Sequence, residues 1–342
     1  MKVHTFEIQT RIKYSEYKKC KDVFYAEAKN KKGLCYGMNQ NNLTQYNKWK
    51  NEGVIIYINR IAGTGYGAYL KLRVNPSLVV SQKYDALNLF CFEEKATIAL
   101  LENLSNIIRH LPIEKTITEF SLCRFDLCTD IPLETKAEVI EYIRLLNKGA
   151  NSADFGKMEY GNEKDAHSYR RLNDRYQISV YDKLYQMNDR NLFSEHMTDE
   201  RVLRTELSLT AEGISILKRK LELRSDILWT DIALVFCQCG AEIMCSIIDR
   251  LTLPDNYYSL AYAKKIISGS HFSKSKQQKI IEYITKLCKA DCITCNNLSD
   301  KKRMRQLHIL GINPAVITYR SGIHKLTSLQ DLIYENEGVD ID

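Results

Sequence analysis

Three short segments of the chain place ionisable side chains inside apolar stretches that are predicted to be β-strands. They are FSLCRFDLCTDI (120–131), RYQISVYDKLYQM (175–187) and RVLRTELSL (201–209). An acidic group in such a strand loses hydration on folding, so it is tolerated mainly beside a cation or bound to a metal ion. Two carboxylates and one tyrosine in these strands are therefore the first candidates for chemistry.

The alternation of side chains along a strand predicts which of these groups share a face. The first segment is expected to present four residues together: Arg124, Asp126, Cys128 and Asp130. In the third segment, Arg204 and Glu206 share a face in the same way. Adjacent strands would gather Asp126 and Glu206 into a site for Mg²⁺ or Mn²⁺, because hard cations prefer carboxylate oxygens. The alternative is a lattice of Arg–Asp and Arg–Glu ion pairs without a metal.

The middle segment contributes the tyrosine. Ser179, Tyr181 and Lys183 are predicted to lie on one face of this strand. A tyrosine hydroxyl near a metal-bound phosphate can act as a nucleophile, and Lys183 would add positive charge beside it. Tyr185 follows four positions later, as a second nucleophile or as a stacking partner for a base. The chain has 21 tyrosines, so the position of Tyr181 between two acidic strands is what distinguishes it.

The composition of the chain is that of a globular protein. Its 342 residues suffice for one large or two modest domains, and no run of about 18 apolar residues indicates a membrane span. The N-terminal segment lacks the apolar core of a signal peptide, which predicts a cytoplasmic protein. Eleven cysteines without a regular spacing predict reduced thiols.

The net charge of +7 comes with clustered basic residues. The clusters are Lys18, Lys19 and Lys21; Arg170, Arg171 and Arg175; and Lys301, Lys302, Arg303 and Arg305. Tyrosines stand among the second cluster, and basic residues mixed with aromatic ones suit phosphate neutralisation and base stacking. The sequence therefore favours a nucleic acid partner over a merely solvated basic surface.

The order of the predicted elements indicates an α+β fold, with an antiparallel sheet and helices on one of its faces. The first 95 residues are predicted to be rich in strands, through AYLKLRVNPSLVV (68–80), with a hairpin at GTGYG (63–67). Helices are predicted at 95–111, with Ile98 on its apolar face, and at 133–149.

From about residue 211 the apolar spacing becomes helical almost throughout. This change predicts a first domain at 1–215 and a mainly helical C-terminal domain at 216–335, which would bind DNA or a partner. The last residues, 336–342, are expected to form a flexible tail.

Taken in order, several motifs resemble the replication initiators of the filamentous-phage gene II protein family. They are LRVNPSLVV, CRFDLCTD, SVYDKLYQM, VLRTELSL and LHILGINPAVITYRSGIHKLTSLQDLI. The set is also similar to the Rep proteins of rolling-circle plasmids, and it spans about residues 50 to 335. The resemblance implies a fold related to the HUH endonucleases.

The resemblance also implies an activity, namely nicking of one DNA strand at an origin. The enzyme would form a 5′-phosphotyrosine, leave a 3′-hydroxyl for a host polymerase, work with a host helicase, and later rejoin the strand. By position, Tyr181 corresponds to the nucleophile, and Asp126 and Glu206 to the acidic motif residues. Five arginines in or near these segments are expected to contact DNA: Arg124, Arg170, Arg171, Arg175 and Arg204.

One departure from the HUH pattern concerns histidine. The seven histidines, at positions 4, 110, 167, 196, 271, 308 and 324, include no His-x-His pair. Carboxylates would have to replace that metal site, and Asp130, Cys128 and His167 are candidates for a third ligand.

The cysteines offer a competing site. Cys288, Cys292 and Cys295, with Cys237 and Cys239 upstream, could supply thiolates to a structural Zn²⁺. The upstream pair lacks zinc-ribbon spacing, so the sequence favours buried structural cysteines.

Two further functions remain open at this point. One is a catalytically inactive, sequence-specific DNA-binding protein of the same fold, such as a repressor or an accessory replication factor. The other is a relaxase of conjugative transfer, which shares the tyrosine chemistry.

Overall fold

The structure of the chain is a computed structural model. It describes residues 1–30, 37–38, 45–49, 53–61, 67–83, 85, 87–149, 155–157, 167–189, 201–293, 297–318 and 321–339. Residues 63–66 of the GTGYG segment, His196 and Cys295 lie outside this part of the chain.

The described part is a mixture of helix and antiparallel sheet, as the sequence predicts at this coarse level. Its strands are β1 (Lys2–Lys13), β2 (Gly37–Met38), β3 (Gln45–Trp49), β4 (Val54–Arg60), β5 (Gly67–Val74), β6 (Ser121–Pro132), β7 (Gly156–Lys157), β8 (Ser168–Leu172), β9 (Tyr176–Asp182), β10 (Val202–Thr210), β11 (Tyr257–Tyr258) and β12 (Lys325–Leu326).

The α-helices in the same ranges agree with most of the predicted positions. They are α1 (Tyr14–Asn30), α2 (Pro76–Ser81), α3 (Glu94–Ile108), α4 (Lys136–Lys148), α5 (Lys183–Asp189), α6 (Ala211–Lys220), α7 (Trp229–Gln238), α8 (Gly240–Ile248), α9 (Leu260–Ser268), α10 (Lys274–Lys289), α11 (Leu298–Ile309) and α12 (Leu329–Glu337).

The chain forms two compact units that alternate along the sequence. Unit 1 comprises 1–128, 174–176 and 208–240, and unit 2 comprises 129–173, 177–207 and 241–342. The boundaries of these compact units therefore lie at positions other than residue 215. The division into domains 1–215 and 216–335 stays a prediction.

Unit 1 is built on antiparallel strands in the order β2, β3, β4, β5, β1, β6. In the hairpin of β4 and β5, Val54 lies opposite Val74 and Arg60 lies opposite Ala68. The strands that flank GTGYG are thus joined as predicted.

Aromatic side chains fill the core of unit 1. The rings of Phe6 and Trp229 have centroids 5.2 Å apart, and those of Phe125 and Phe236 are 6.0 Å apart. Each such pair contributes about 0.5–1.5 kcal/mol beyond the burial of its area. The Trp229 Nε1–H donates to the Ile117 carbonyl at 3.0 Å, so the one polar group of this indole is satisfied inside the core.

In unit 2, strands β10, β9, β8 and β7 follow one another in that order, and β8 pairs antiparallel with both β7 and β9. Helix α4 begins with a capping box between Thr135 and Glu138. It ends at Lys148, and Gly149, the last residue of the predicted helix, is its C-cap. It also holds the chain near residue 318, because Glu141 accepts the Thr318 backbone N–H at 2.7 Å.

Several local predictions are wrong. Strand β5 ends at Val74, because Asn75 caps helix α2 and Pro76 occupies its first turn. The N-terminal region also contains a helix, α1, that the alternation of residues 2–13 did not reveal. Ile98 is 51% exposed, since the buried face of α3 is formed by Leu100, Leu104 and Ile108.

The end of the chain is ordered further than predicted. Helix α12 continues to Glu337, whose carboxylate accepts a hydrogen bond from the Thr129 hydroxyl at 2.6 Å. The amide of Asn336 donates to the same hydroxyl at 2.9 Å. These contacts hold the first two residues of the segment that was expected to be a tail.

No single helix within the described ranges is both long and apolar enough to cross a membrane. Only the bent pair of α7 and α8, taken together, meets that length and composition.

Candidate active site

Strand β9 ends earlier than predicted and passes directly into helix α5. The strand ends at Asp182, whose carboxylate accepts the Tyr185 backbone N–H at 3.0 Å and so caps the first turn of the helix. Lys183 therefore begins a helix, and the prediction that it shares a strand face with Tyr181 is wrong. Its side chain is buried, and Nζ donates to Gln186 Oε1 at 3.0 Å.

The Tyr181 hydroxyl faces a carboxylate. It donates a hydrogen bond to Glu206 Oε2 at 3.1 Å. Both residues belong to unit 2, where β9 and β10 are neighbouring strands, and Ser168 of β8 lies opposite Tyr181 on the other side. The tyrosine is 8% exposed and Glu206 is half-buried. A hydroxyl in this position can transfer its proton to the carboxylate that accepts its hydrogen bond.

Tyr185 lies on α5 and is 38% exposed. Its ring is parallel to that of His167, with the two centroids 3.5 Å apart. The Nδ1 atom of His167 lies 3.7 Å from a carboxylate oxygen of Asp182. His167, a predicted candidate for the third metal ligand, is thus a stacking partner of Tyr185 in this structure.

Asp130 and Arg204 form a bidentate ion pair in unit 2. The Arg204 Nε and Nη2 atoms each lie 2.5 Å from an oxygen of Asp130. The Arg204 side chain is fully buried, whereas that of Asp130 is 22% exposed. A pair with this geometry satisfies both charges, which is the arrangement that the ion-pair interpretation predicts.

Asp126 has an arginine partner on its own strand in unit 1. The Arg124 Nε atom lies 2.9 Å from Asp126 Oδ1, and the Thr5 hydroxyl donates to Oδ2. Arg124 also donates to the Ser208 hydroxyl at 3.3 Å. The Asp126 side chain is 1% exposed, so Arg124 compensates for much of the hydration that this carboxylate has lost.

The carboxylates predicted to bind Mg²⁺ or Mn²⁺ therefore have other partners. Asp126 and Asp130 are each neutralised by an arginine, and Glu206 accepts a hydrogen bond from Tyr181. Over the described ranges, no group of three or more His, Cys, Asp and Glu residues is arranged to hold a metal ion. Carboxylate oxygens suit these cations chemically, but two of the three would have to leave an arginine first.

The remaining predicted DNA-binding arginines differ in exposure. Arg170 is half-buried and donates to Ser179 at 3.1 Å, and Arg175 is exposed and paired with Glu212 at 2.8 Å. Arg171 is buried, with its guanidinium over the ring of Tyr169. A buried guanidinium does not reach a phosphate without rearrangement. In this structure Arg171 packs on Tyr169 and Arg204 pairs with Asp130. Contact of these two arginines with DNA stays a prediction.

The cysteines of the competing zinc site show ordinary contacts. Cys237 is buried in α7, and Cys292 donates a weak hydrogen bond to the Gly149 carbonyl at 3.6 Å. Two cysteines outside this set show the effect of burial, which raises the pKa of the Cys245 thiol to about 12 and that of Cys123 to about 11. Such thiols are protonated at neutral pH and behave as small apolar residues.

Sequence reasoning missed the cap of α5 and the stack beneath Tyr185. An N-cap side chain accepts a hydrogen bond from a backbone N–H two or three residues later. Asp182 stands three residues before Tyr185, so the sequence did contain the signal for this cap. His167 carries no comparable signal, because its contact depends on the antiparallel pairing of β8 with β9.

No protein-family model matches the chain, and a search of curated proteins also finds no significant match.

Proposed function

We propose that the protein nicks one strand of DNA to initiate rolling-circle replication, with Tyr181 as the nucleophile and Glu206 as its general base. The observation that carries this proposal is the hydrogen bond from the Tyr181 hydroxyl to Glu206 Oε2. A protonated tyrosine is a weak nucleophile, and an adjacent base is the usual means of activating it. The resemblance of the ordered motifs to phage and plasmid initiators supports the same tyrosine.

The reaction is a transesterification at phosphorus. Glu206 takes the phenolic proton while the Tyr181 oxygen attacks, so a bond from phosphorus to this oxygen forms and the bond from phosphorus to the 3′ oxygen breaks. The 3′ oxygen leaves with a proton from solvent, and the 5′ phosphate stays on the tyrosine. General base catalysis of this kind contributes about 10²–10⁴ in rate. The reverse reaction rejoins the strand, because the phosphotyrosine is also an ester.

Mg²⁺ or Mn²⁺ belongs to this proposal as a cofactor, which Glu206 and Asp130 of unit 2 would hold if Asp130 exchanged its arginine partner for the cation. Such a cation would supply charge stabilisation to the phosphate. No step above depends on it, and the metal requirement is measured by comparing the reaction in EDTA with that in each cation. The proposed setting is the bacterial cytoplasm, with origin DNA, a host helicase and a host polymerase as partners.

A second candidate is a DNA-binding protein of the same fold without catalysis. The ion pairs of Asp126 with Arg124 and of Asp130 with Arg204 favour it, because they occupy carboxylates that a metal-dependent enzyme would use. A conjugative relaxase shares the proposed chemistry and differs from the first candidate in the DNA that it processes.

The test is a nicking assay on supercoiled plasmid that carries the cognate origin. The proposal expects an open-circular product and a covalent protein–DNA adduct that survives denaturation. Tyr181→Phe should abolish the adduct and leave the affinity for DNA within about fivefold, since a single hydrogen bond contributes about 1 kcal/mol.

Two tyrosine variants control this experiment. Tyr185→Phe tests the neighbouring candidate nucleophile, and Tyr69→Phe is a matched control on β5, where the side chain is 37% exposed. Both should keep the adduct. An adduct that persists in Tyr181→Phe but disappears in Tyr185→Phe transfers the role of nucleophile to Tyr185. Binding without any adduct in the unmodified protein supports the second candidate.

A further inference from the structure

Positive charge is concentrated in one segment of unit 2. Residues 260–325 contain 13 Lys and Arg residues but only three Asp and Glu residues, whereas the whole chain has a net charge of +7. The rest of the sequence therefore carries more acidic than basic residues. An asymmetry of this size indicates interaction with a polyanion.

The segment is built around helix α10, which contacts both α9 and α11. One side of α10 is buried in the unit through residues that include Ile280 and Leu287. Lys279, Lys286 and Lys289 are exposed, and their spacing of seven and three residues places them on one face of the helix. The lysines thus form a row on the side of α10 that faces away from the core of its unit.

The basic side chains of these helices lie outside the ion pairs of the described residues. Helices α9, α10 and α11 contain 11 Lys and Arg residues, and none of them has a carboxylate partner in the described part of the chain. Exposed cations elsewhere do have such partners, as in the pairs of Arg175 with Glu212 and of Lys115 with Glu119. Local ion pairing therefore does not account for the basic residues of α9 to α11.

We infer that α10 and α11 form a docking surface for the phosphate backbone of duplex DNA. Lys279 and Lys289 are ten residues apart, which is about 15 Å along a helix axis. One strand of a duplex places about four phosphates over this distance, at about 3.4 Å each. On α11, Lys301, Lys302 and Arg305 are exposed and extend the charged surface.

The aromatic content of the helices favours a duplex over a single strand. Proteins that hold single strands stack bases on exposed aromatic rings. Tyr283 is the one aromatic residue of α10, and it is buried, while α11 contains no Phe, Tyr or Trp. A surface that presents cations but no exposed aromatic rings suits duplex DNA, because the bases of a duplex are already paired and stacked.

An anionic membrane is the other polyanion to consider. Leu298 and Ile309 are exposed at the two ends of α11, by 84% and 63%. Insertion into lipid needs a continuous apolar face, and the apolar face of α10 is already buried in its own unit. The observations therefore favour DNA, and a vesicle measurement tests the choice.

The experiment measures the affinity of the full chain for a 30-base-pair duplex by fluorescence anisotropy over a range of salt concentrations. The variant replaces Lys279, Lys286 and Lys289 together by Gln, which preserves helix propensity. It should bind at least tenfold more weakly at about 0.1 M salt. The slope of log K against log salt should fall by about 2 to 3, because each phosphate contact contributes about 0.9.

Two controls separate this surface from a general effect of charge. Replacing Lys83, Arg219 and Lys220 of unit 1 by Gln removes three exposed charges as well, and it should leave the slope unchanged. Glu282→Gln removes an acid from the same helix and should tighten binding. If the α10 variant does not fold by circular dichroism, the variant of Lys301, Lys302 and Arg305 replaces it, with the same expectation.

The inference is overturned if the α10 variant keeps the affinity and slope of the unmodified protein, or if the unit 1 control loses as much. It is also overturned if vesicles of phosphatidylserine are bound and the duplex is not. Binding of this kind does not need the proposed nicking activity. If the unmodified protein never nicks but the α10 variant loses duplex binding, the surface is supported and the enzyme is rejected. If the unmodified protein nicks but the α10 variant binds the duplex as well as it does, the enzyme is supported and the surface is rejected.

Discussion

Two polar pairs on strand β10 of unit 2 use their charges in different ways. Arg204 is fully buried and binds both oxygens of Asp130, so each ion is matched by an opposite one. Glu206, two residues further along the strand, is half-buried and accepts a hydrogen bond from the neutral Tyr181 hydroxyl. The same strand thus presents an ion pair of matched charges and a carboxylate beside an ionisable phenol.

The difference shows how to separate a structural acid from a chemical one in this protein. A carboxylate in a bidentate pair with arginine has both of its oxygens engaged by the guanidinium. A carboxylate that faces a hydroxyl can accept a proton while keeping its hydrogen bond. We therefore expect substitutions at Glu206 to alter activity, and substitutions at Arg204 and Asp130 to alter stability.

The largest effect is expected for Glu206→Gln. The amide keeps the size of the side chain but cannot take the phenolic proton, so the rate of adduct formation should fall by about 10²–10⁴. The midpoint of urea unfolding should change little, because the side chain is half-buried. Single-turnover measurements of the adduct give the rate.

Glu212→Gln is the matched control for this change. Glu212 is exposed and pairs with Arg175 in unit 1, so its removal should leave the rate within about twofold. A Glu206→Gln protein that forms the adduct as fast as the unmodified chain would exclude Glu206 as the base.

The next largest effect is expected for Arg204→Met. Removing one partner of a buried ion pair leaves the other charge uncompensated, which costs about 3–5 kcal/mol in free energy of unfolding. The Asp130 side chain is 22% exposed, so the lower end of this range is expected. Urea unfolding followed by circular dichroism measures the change.

A second substitution tests the reason for this loss. Arg204→Met combined with Asp130→Leu removes both charges and should recover stability to within about 1–2 kcal/mol of the unmodified protein. The exposed pair of Arg224 and Asp226 supplies the comparison, because Arg224→Met should cost no more than about 1 kcal/mol. Equal losses at Arg204 and Arg224 would contradict the assignment of a buried structural pair.

The sequence predicted the fold best where the local pattern and the final environment agree. Strands β6 and β10 lie within one residue of their predicted ends, because the apolar residues that marked both segments become buried. The helices α3 and α4 were also located, with each end within three residues of its predicted position. The prediction failed at β5 and β9, where Asn75 and Asp182 cap a following helix.

The candidate site was predictable in its residue types but not in their pairing. Alternation predicts Arg204 and Glu206 on one face of β10, yet it could not show that one pairs with Asp130 and the other with Tyr181. The choice between partners depends on strand register, which long-range packing sets. The stack of His167 on Tyr185 was unpredictable for the same reason.

The smallest effect is expected at a third acid of unit 2, Asp182, which follows Tyr181 directly. Its carboxylate caps helix α5 through the Tyr185 backbone N–H. Asp182→Ala should therefore lower the free energy of unfolding by about 1 kcal/mol, the usual contribution of an N-cap. If the acid is structural, the rate of adduct formation should stay within about threefold of that of the unmodified protein.

Asn at position 182 distinguishes capping from charge. Asn caps helices about as well as Asp, so Asp182→Asn should keep the stability that Asp182→Ala loses. A loss of adduct formation in both variants, at unchanged stability in Asp182→Asn, would show that the charge of Asp182 takes part in the reaction. Glu206 would then not be the one acid beside Tyr181 that acts chemically. Asp182, the first residue after the nucleophile, would take part in the reaction as well.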